Sequence, residues 1–375
     1  MLEGDRKKVL YRCLRGLRGA FPESVYQPSL KSLELLFENF DLKSWEAAQR
    51  RGEVPTIHSG MVPSMFSETP YYLACGSRGR ARDILSDHSK DIVQTIPPNY
   101  DDMRSALYGI YKDRFKGQEF NVGVLTTKEG PSAVEIFLGM DFLSVAPDNF
   151  TMVRPGTAGT MQKYIGCGSK TIATAALRAE GVSDKYVESD YVAVATPLVV
   201  AFLELAAERL GYDTKTGPKI TKDSLQWEIC NTPKRESARI AQKLARDAGI
   251  LVSSMELSMI CILADLYSQN KIHPGKDPRE VRVGGIYAVV NDPPDGEGES
   301  LFTPDLKAIE QVERDIELIS QESMRIAFAY DHGLLSRDQM SRLDQRAKEV
   351  DSELKRSLPM LRDTQRQIRQ TYGAI

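Results

Sequence analysis

The chain has 375 residues, of which 27% are charged and 41% are hydrophobic, a composition typical of one large or two medium-sized globular domains. Its 49 Lys and Arg residues nearly balance its 52 Asp and Glu residues. The formal net charge of −3 excludes a histone-like polycation and a highly charged disordered chain. It does not exclude a nucleic-acid-binding protein, because phosphate binding depends on the local density of positive charge.

The five cysteines are odd in number and far apart, which argues against a disulfide scaffold or a zinc knuckle and favours a reducing compartment. The four histidines form no HExxH or HxH pattern, so we expect no metal site and no bound cofactor. No apolar segment follows the basic residues near the N-terminus. The most hydrophobic run, 191–207, is interrupted by Pro197 and Glu204. We therefore expect a soluble intracellular protein without a membrane partner.

The N-terminal half predicts helices and one β-hairpin. Positions 1–20 hold six basic and two acidic residues, which indicates a basic arm. Two β-rich runs, 120–127 and 133–138, flank a Gly-Pro turn and predict the hairpin. The remaining elements are predicted from periodicity and turn residues: helices at 29–51, near 79–93, near 100–114, at 169–180 and at 197–211, a loop at 154–160 and a linker at 212–223.

The C-terminal half predicts one short strand, 281–290, and a helical hairpin. Thr303-Pro304 is typical of a helix start, and Gly333 can end that helix. Ser336 and Gln339 fit a capping box for a second helix, which we expect to end at Pro359. The predicted fold is mostly α, with two helical lobes, a β-hairpin in the N-terminal lobe and terminal exchange arms. The predicted divisions are an N-terminal arm (1–27), an N-terminal lobe (28–215), a C-terminal lobe that ends in the helical hairpin (216–358) and a C-terminal arm (359–375).

The segment Gly166–Thr171 is similar to a phosphate loop but lacks the glycines that a P-loop requires, since Tyr164 and Ser169 occupy those positions. An NTPase is therefore not expected. Gly166 and Gly168 precede a predicted helix whose free N–H groups could hold a phosphate, and the side chains of Lys170 and Arg178 would continue that face. The alternative is an ordinary solvated helix face.

Positive charge is concentrated in two segments. Residues 154–185 hold five basic and two acidic residues, and residues 212–250 hold eight basic and five acidic residues, so each has a net charge of +3. On a helix that follows Thr232-Pro233, four basic side chains would lie within about 80° of arc. Residues 292–322, with ten acidic and two basic residues, carry −8. No catalytic constellation is visible, so no catalytic residue is predicted.

The run Ile110-Tyr-Lys-Asp-Arg-Phe-Lys-Gly-Gln-Glu-Phe-Asn-Val-Gly-Val-Leu-Thr-Thr, continued by Ile136-Phe-Leu-Gly, resembles the helix, basic turn and hairpin of paramyxovirus-type nucleoproteins. In architecture the chain resembles the nucleoproteins of nonsegmented negative-strand RNA viruses, and in size the fungal mymonaviruses. This resemblance implies a protein that is not an enzyme and that clamps single-stranded RNA between two lobes. It also implies polymerisation through the arms 1–27 and 359–375, a viral polymerase or phosphoprotein as a further partner, and a location in the virion and host cytoplasm.

We therefore expect a viral nucleoprotein that coats genomic RNA without sequence preference. Two alternatives stay open: a filament or capsid protein without nucleic acid, and an enzyme that holds a phosphorylated substrate at the Gly166–Thr171 loop. The predicted RNA contacts are Arg154, Lys163, Tyr164, Lys170, Arg178, Lys215, Lys219, Lys222, Arg235, Arg239, Lys243 and Arg246.

Overall fold

A computed structural model describes residues 69–96, 108–224, 235–272, 279–292 and 305–373. In this part of the chain, ten strands form one mixed sheet. The strands are β1 (Tyr71–Cys75), β2 (Ile92–Ile96), β3 (Tyr108–Phe115), β4 (Gln118–Thr126), β5 (Phe150–Thr160), β6 (Lys170–Ala179), β7 (Ala193–Val194), β8 (Lys215–Lys222), β9 (Val252–Ser254) and β10 (Val281–Val289).

Helices cover both faces of the sheet. One helical segment consists of α2 (Pro131–Val134), a π-helical stretch (Glu135–Phe142) and α3 (Leu143–Val145). The other helices are α1 (Arg78–Asp87), α4 (Pro197–Leu210), α5 (Arg235–Asp247), α6 (Leu257–Ser268), α7 (Leu306–Asp331) and α8 (Arg337–Gly373), with a 3-10 turn at Ser183–Lys185.

The sheet closes on itself. β5 pairs in parallel with β10, β10 pairs antiparallel with β6, β6 and β8 are parallel, β8 and β9 are parallel, and β9 returns antiparallel to β5. An extension leaves this ring at β5, where β1 joins in parallel, followed by β4, β3 and β2. Because β1, β4 and β5 are parallel, their carboxyl ends point to the same edge of the sheet.

The core has two parts, one on each face. One face packs against α1, α4, α5, α7 and α8, and the other against the α2–α3 segment and α6. The predicted mostly α fold with two helical lobes is therefore wrong: the protein is a mixed α/β protein built on a large sheet. Residues 212–223, expected to be a linker, contain β8, which pairs with β6 and β9 inside that sheet.

The segment 169–180, predicted as a helix, is strand β6. Its sequence, Lys-Thr-Ile-Ala-Thr-Ala-Ala-Leu-Arg-Ala, is rich in alanine, a good helix former. All of its residues except the first are buried, because helices cover both faces of the sheet. A strand covered on both faces has no alternation of polar and apolar residues, so the pattern that identifies strands is missing here.

The predicted hairpin is also displaced. The structure forms a hairpin between β3 and β4, with Lys116 and Gly117 both at positive φ in the turn. Residues 133–138, expected to be its second strand, belong to the helical segment that starts at Pro131. The Gly-Pro pair therefore starts a helix, for which proline at the first position is favourable.

The segment 154–160, predicted as a loop because it contains Pro155, is the second half of β5. The N–H of Thr151 points towards β1, since it donates to the carbonyl of Pro70. Position 155 faces the same side, but pairing between β1 and β5 ends at Val153. The missing N–H of Pro155 therefore leaves no ladder hydrogen bond unmade.

The two predicted C-terminal helices are confirmed as α7 and α8, but the hairpin is not, because each of them packs against α4 and not along the other. Ser336 and Gln339 exchange the two hydrogen bonds of a capping box, at 3.1 and 3.2 Å. Pro359 does not end the second helix, which continues to Gly373 because buried side chains such as Leu361 and Ile368 hold the following turns against the core. Residues 359–373 are thus part of α8, and the predicted arm at 1–27 lies outside the described residues.

Candidate functional site

The functional site is expected where the parallel strands end, since ligands of α/β proteins bind outside the carboxyl ends of the strands. β1 ends at Cys75 and β4 at Thr126, directly opposite each other. α1 starts three residues after Cys75, so its N-terminus lies at this same edge. The start of α6, at Leu257, comes immediately after the short strand β9.

Arg154 of β5 lies at the centre of this edge and is only 2% exposed. Its Nη1 donates to the carbonyl of Ala74 at 3.2 Å and to Oγ1 of Thr127 at 2.9 Å. Its Nη2 lies 3.1 Å from Oε2 of Glu256. The buried Nε makes no hydrogen bond within the described residues. Ala74, Thr127 and Glu256 thus engage three of the five N–H groups, and Nε stays available to a ligand.

Two glycines allow this placement of Arg154. A Cβ at Gly76 would stand 2.5 Å from the Arg154 Nη2 atom, and a Cβ at Gly156 would stand 2.8 Å from the ring of Tyr287 and 3.5 Å from Arg154 Nε. Neither position tolerates a side chain without a shift of its neighbours. The sequence therefore leaves room for the guanidinium at the end of β1.

Glu256 supplies the negative charge of the site. It occupies the N-cap position of α6, but its side chain makes no capping hydrogen bond and turns to Arg154 instead. Burial alone would lower the pKa of the Arg154 guanidinium, but Glu256, with smaller effects from Tyr287 and Cys75, raises it above the ordinary value. The arginine therefore stays charged inside the protein.

A second arginine, Arg80, lies in the first turn of α1 and is 8% exposed. Its Nη2 lies 2.6 Å from Oε1 of Glu313, and its Nε lies 3.6 Å from Oε1 of Glu317, both on α7. Burial raises the pKa of Glu317 to about 7, although Arg80 and Arg314 oppose that shift. The Cys75 thiol lies within the field of both Arg80 and Arg154, but burial raises its pKa to about 12, so it stays a thiol.

The two guanidinium groups and the N-terminus of α1 make this edge suited to an oxyanion, because a helix N-terminus carries partial positive charge and arginine binds phosphate oxygens through its fork of donors. Glu256 adds an acceptor for hydroxyl groups beside that oxyanion. No cluster of three or more His, Cys, Asp or Glu side chains able to hold a metal ion occurs among the described residues.

A groove of about 320 Å³ lies elsewhere, between α4 and α8. Its charged side chains pair with one another: Arg342 with Glu208 at 2.9 Å and Arg346 with Glu204 at 2.7 Å. With Glu349 the groove has one more acidic than basic side chain, so it does not suit a phosphate and we do not assign the site to it.

The predicted RNA contacts do not form one surface. Arg154, Arg178, Lys219 and Lys222 are buried, whereas Lys163, Tyr164, Lys215, Arg239 and Lys243 are exposed and Lys170 and Arg246 are intermediate. The side chain of Arg235 lies outside the described residues.

Ion pairs occupy several of these basic side chains. Lys170 lies 2.9 Å from Asp315 of α7, Arg178 is bonded to Asp184, and Lys243 lies 2.7 Å from Asp247. The loop Gly166–Thr171 leads into β6 and not into a helix, so it has no helix N-terminus with which to hold a phosphate.

Of the predicted residues, the structure brings Arg154 to the candidate site and Lys219 next to it. Arg80, Glu256 and the two glycines were missed. The segment Cys-Gly-Ser-Arg-Gly-Arg at 75–80, a strand end followed by glycines and the start of a predicted helix, is the signal that could have found Arg80. Nothing in the sequence around Glu256 pairs it with Arg154, because the sheet alone brings them together.

The chain matches one protein family and is similar to several known proteins. The family model described as the phosphorylase superfamily matches residues 75–321, which is more than half of the chain. The uridine phosphorylase of Thermococcus kodakarensis is 32% identical over 161 residues, 41% of this chain and 55% of that protein. The uridine phosphorylase of Treponema pallidum is 29% identical over 144 residues, 38% of this chain and 51% of that protein. The chain thus spans about half the length of these curated relatives.

Solved structures show the same fold. The purine nucleoside phosphorylase of Toxoplasma gondii, in complex with immucillin-H, superposes with a TM-score of 0.57 at 18% identity, over 73% of this chain and 96% of that one. The uridine phosphorylase of Vibrio fischeri ES114 superposes with a TM-score of 0.54 at 21% identity, over 72% of this chain and 97% of that one. At these identities the likeness concerns the fold alone.

These matches overturn the viral interpretation. The resemblance to a nucleoprotein, the coating of RNA, and single-stranded RNA and a viral polymerase or phosphoprotein as partners were wrong predictions, as was the expectation that the protein is not an enzyme. Of the alternatives left open, the phosphate-substrate enzyme agrees with the findings. The candidate site described above is at the end of β1 and not at the predicted loop Gly166–Thr171. The chain belongs to the phosphorylase superfamily.

Proposed function

We propose that the protein is a nucleoside phosphorylase, an enzyme that cleaves the bond between the base and the sugar of a nucleoside with inorganic phosphate. The observation that carries this proposal is the buried pair of Arg154 and Glu256 at the carboxyl end of β1. Membership of the superfamily, and the uridine and purine nucleoside phosphorylases among the similar proteins, support it.

Phosphate binds at Arg154 and Arg80, in front of the N-terminus of α1. Arg154 offers its unpaired Nε, and the N–H groups at the start of α1 that the Ser77 side chain does not cap add backbone donors. Thr127, whose Oγ1 accepts from Arg154 Nη1, helps to fix the guanidinium plane. A charged donor set in a site closed to water stabilises negative charge far better than the same groups in solution.

Glu256 holds the sugar beside the phosphate. Its carboxylate can accept hydrogen bonds from sugar hydroxyl groups while Arg154 holds it in place from the other side. This brings the anomeric carbon next to the phosphate oxygen and so lowers the entropic part of the barrier.

The reaction balances without a cofactor. A phosphate oxygen forms the new bond to the anomeric carbon, and the bond to the base breaks with its electron pair passing to the base. The proton of hydrogen phosphate balances the one gained by the base. The products are a sugar 1-phosphate and the free base.

The test is release of base from uridine and from inosine, measured by chromatography with and without inorganic phosphate. We expect release that requires phosphate, and a loss of roughly 100-fold or more for Glu256→Gln. Lys215→Met, on the exposed end of β8, is the control and should keep full activity. Absence of phosphate-dependent release from a panel of purine and pyrimidine nucleosides would refute the proposal.

A further inference from the structure

Lys219 is a buried amine next to the candidate site. It lies on β8, and its side chain is fully buried. Its Nζ contacts Oγ of Ser254 and lies 3.6 Å from the centroid of the Tyr287 ring. A Cβ built at Gly156 would meet both that ring, at 2.8 Å, and Arg154 Nε, at 3.5 Å, so the ring and the guanidinium lie over the same glycine. Lys219 therefore lies on the other side of the Tyr287 ring from Arg154, next to the end of β9.

The charges of this buried cluster do not balance. Arg154 and Lys219 bring two basic groups, and Glu256 brings one carboxylate, which is in direct contact with Arg154. Within the described part of the chain, Lys219 makes no ion pair of its own. A buried ammonium without an opposite charge is unfavourable, so the group gives up its proton or acquires an anion.

Burial lowers the pKa of Lys219 well below its ordinary value; Glu256 opposes this shift and Arg154 adds to it. An oxyanion bound to Arg154 would cancel that repulsion and supply the missing negative charge. Lys219 is then a neutral amine while the site is empty, and a charged ammonium while an oxyanion is bound at Arg154.

We propose that Lys219 is a positioning residue that takes up a proton when an oxyanion binds at Arg154. Phosphate binding is then coupled to proton uptake, and the extra positive charge exists only while phosphate is in place. This inference rests on the proposed function, because it needs the oxyanion site at Arg154.

The groups that face Lys219 from the neighbouring elements are Ser254, Glu256, Cys261 of α6, Arg154 and Tyr287. Burial raises the pKa of the Cys261 thiol to about 12 and also raises the pKa of Tyr287, so neither ionises near neutral pH. Glu317 near Arg80 does titrate near pH 7. The measured quantity must therefore be a difference between the wild type and a Lys219 variant.

The experiment is isothermal titration calorimetry of sulfate into the full chain at pH 8, in two buffers with different heats of ionisation. Sulfate stays a dianion throughout the neutral range, so any proton taken up goes to the protein. We expect the wild type to take up about one proton more than Lys219→Met. The sulfate affinity of the wild type should fall by up to about tenfold per pH unit as the pH is raised, and that of Lys219→Met should depend less on pH. Lys215→Met, on the same strand but exposed, should match the wild type.

Equal proton uptake by the wild type and Lys219→Met overturns the inference and leaves the oxyanion site intact. Absence of sulfate binding in the wild type overturns both the inference and the phosphate site of the proposed function. If Lys219→Met does not fold, Lys219→Gln keeps a hydrogen-bonding partner for Ser254 and takes its place. Sulfate binding by the wild type without proton uptake overturns the inference without any variant.

Discussion

The buried pair of Arg154 and Glu256 can be tested by removing each partner and then both. In Arg154→Met the carboxylate of Glu256 stays buried without its cation, and the carbonyl of Ala74 and Oγ1 of Thr127 lose their donor. In Glu256→Leu the guanidinium stays buried and charged. The double variant replaces both by apolar side chains and leaves no uncompensated charge.

The magnitudes follow from the burial of both partners, whose side chains are 3% and 7% exposed. Breaking a buried ion pair from one side costs about 3–5 kcal/mol, whereas replacing both members with apolar groups is often close to neutral. Each single variant should therefore lose about 4 kcal/mol of stability. The double variant should lose about 4 kcal/mol or less, and not the ~8 kcal/mol of an additive pair.

The assay is urea unfolding followed by circular dichroism and by tyrosine fluorescence, with phosphorolysis measured on the same preparations. All three variants should lose activity. The double variant should therefore be inactive although it is no less stable than either single variant. Additive losses of stability, or a single-variant loss below about 1 kcal/mol, would show that the pair is exposed or relaxed and would refute the structural reasoning.

Three further predictions concern other parts of the structure. Burial raises the pKa of Glu317 from 4.5 to about 7, so the protonated form is favoured in the folded state. The wild type should therefore lose on the order of 3 kcal/mol of stability relative to Glu317→Gln as the pH rises from about 4.5 to above 7. Parallel pH profiles of the two proteins in thermal unfolding would contradict this. Gln365→Leu should cost roughly 2–5 kcal/mol in urea unfolding, because its amide bonds both the buried N–H and the buried C=O of Arg178 in β6. The control Gln367→Leu, at an exposed position, should cost under about 0.5 kcal/mol. Equal costs would show that the Gln365 amide is not needed. Gly156→Ala should destabilise the fold by about 1–3 kcal/mol, because the added Cβ meets the ring of the buried Tyr287. Gly181→Ala, where the added Cβ meets open space, should not destabilise it. The same change in melting temperature for both variants would argue against the close approach at Gly156.

The parts of the fold predicted correctly from the sequence are those whose pattern is local. The helices α4 and α7 and the strand β10 lie close to their predicted bounds, because apolar periodicity or a β-rich run is visible within each segment. The strands β5 and β6 were missed for a different reason. In β5, Pro155 is tolerated because pairing with β1 has already ended. In β6, the alanine-rich run is buried because helices cover both faces of the sheet. In both cases the information lies elsewhere in the chain.

The candidate site could be predicted only in part. Arg154 was singled out, but as an exposed contact for RNA, because counting charges along a segment does not distinguish a buried guanidinium from a solvated one. Lys170 shows the same limitation, since its partner Asp315 lies far away in the sequence. Glu256 carries no local motif and becomes meaningful only when the end of β9 is placed beside β5.

The two hydrogen bonds of Gln365 also have a consequence for solubility. Beyond Ala176, where pairing with β7 stops, the backbone of β6 at Arg178 faces α8, and the side-chain amide of Gln365 takes the place of a neighbouring strand there. An unpaired strand edge is a template on which a second chain can add its own strand. By closing this edge with a side chain, α8, all of which lies beyond the region matched by the family model, removes that template at Arg178.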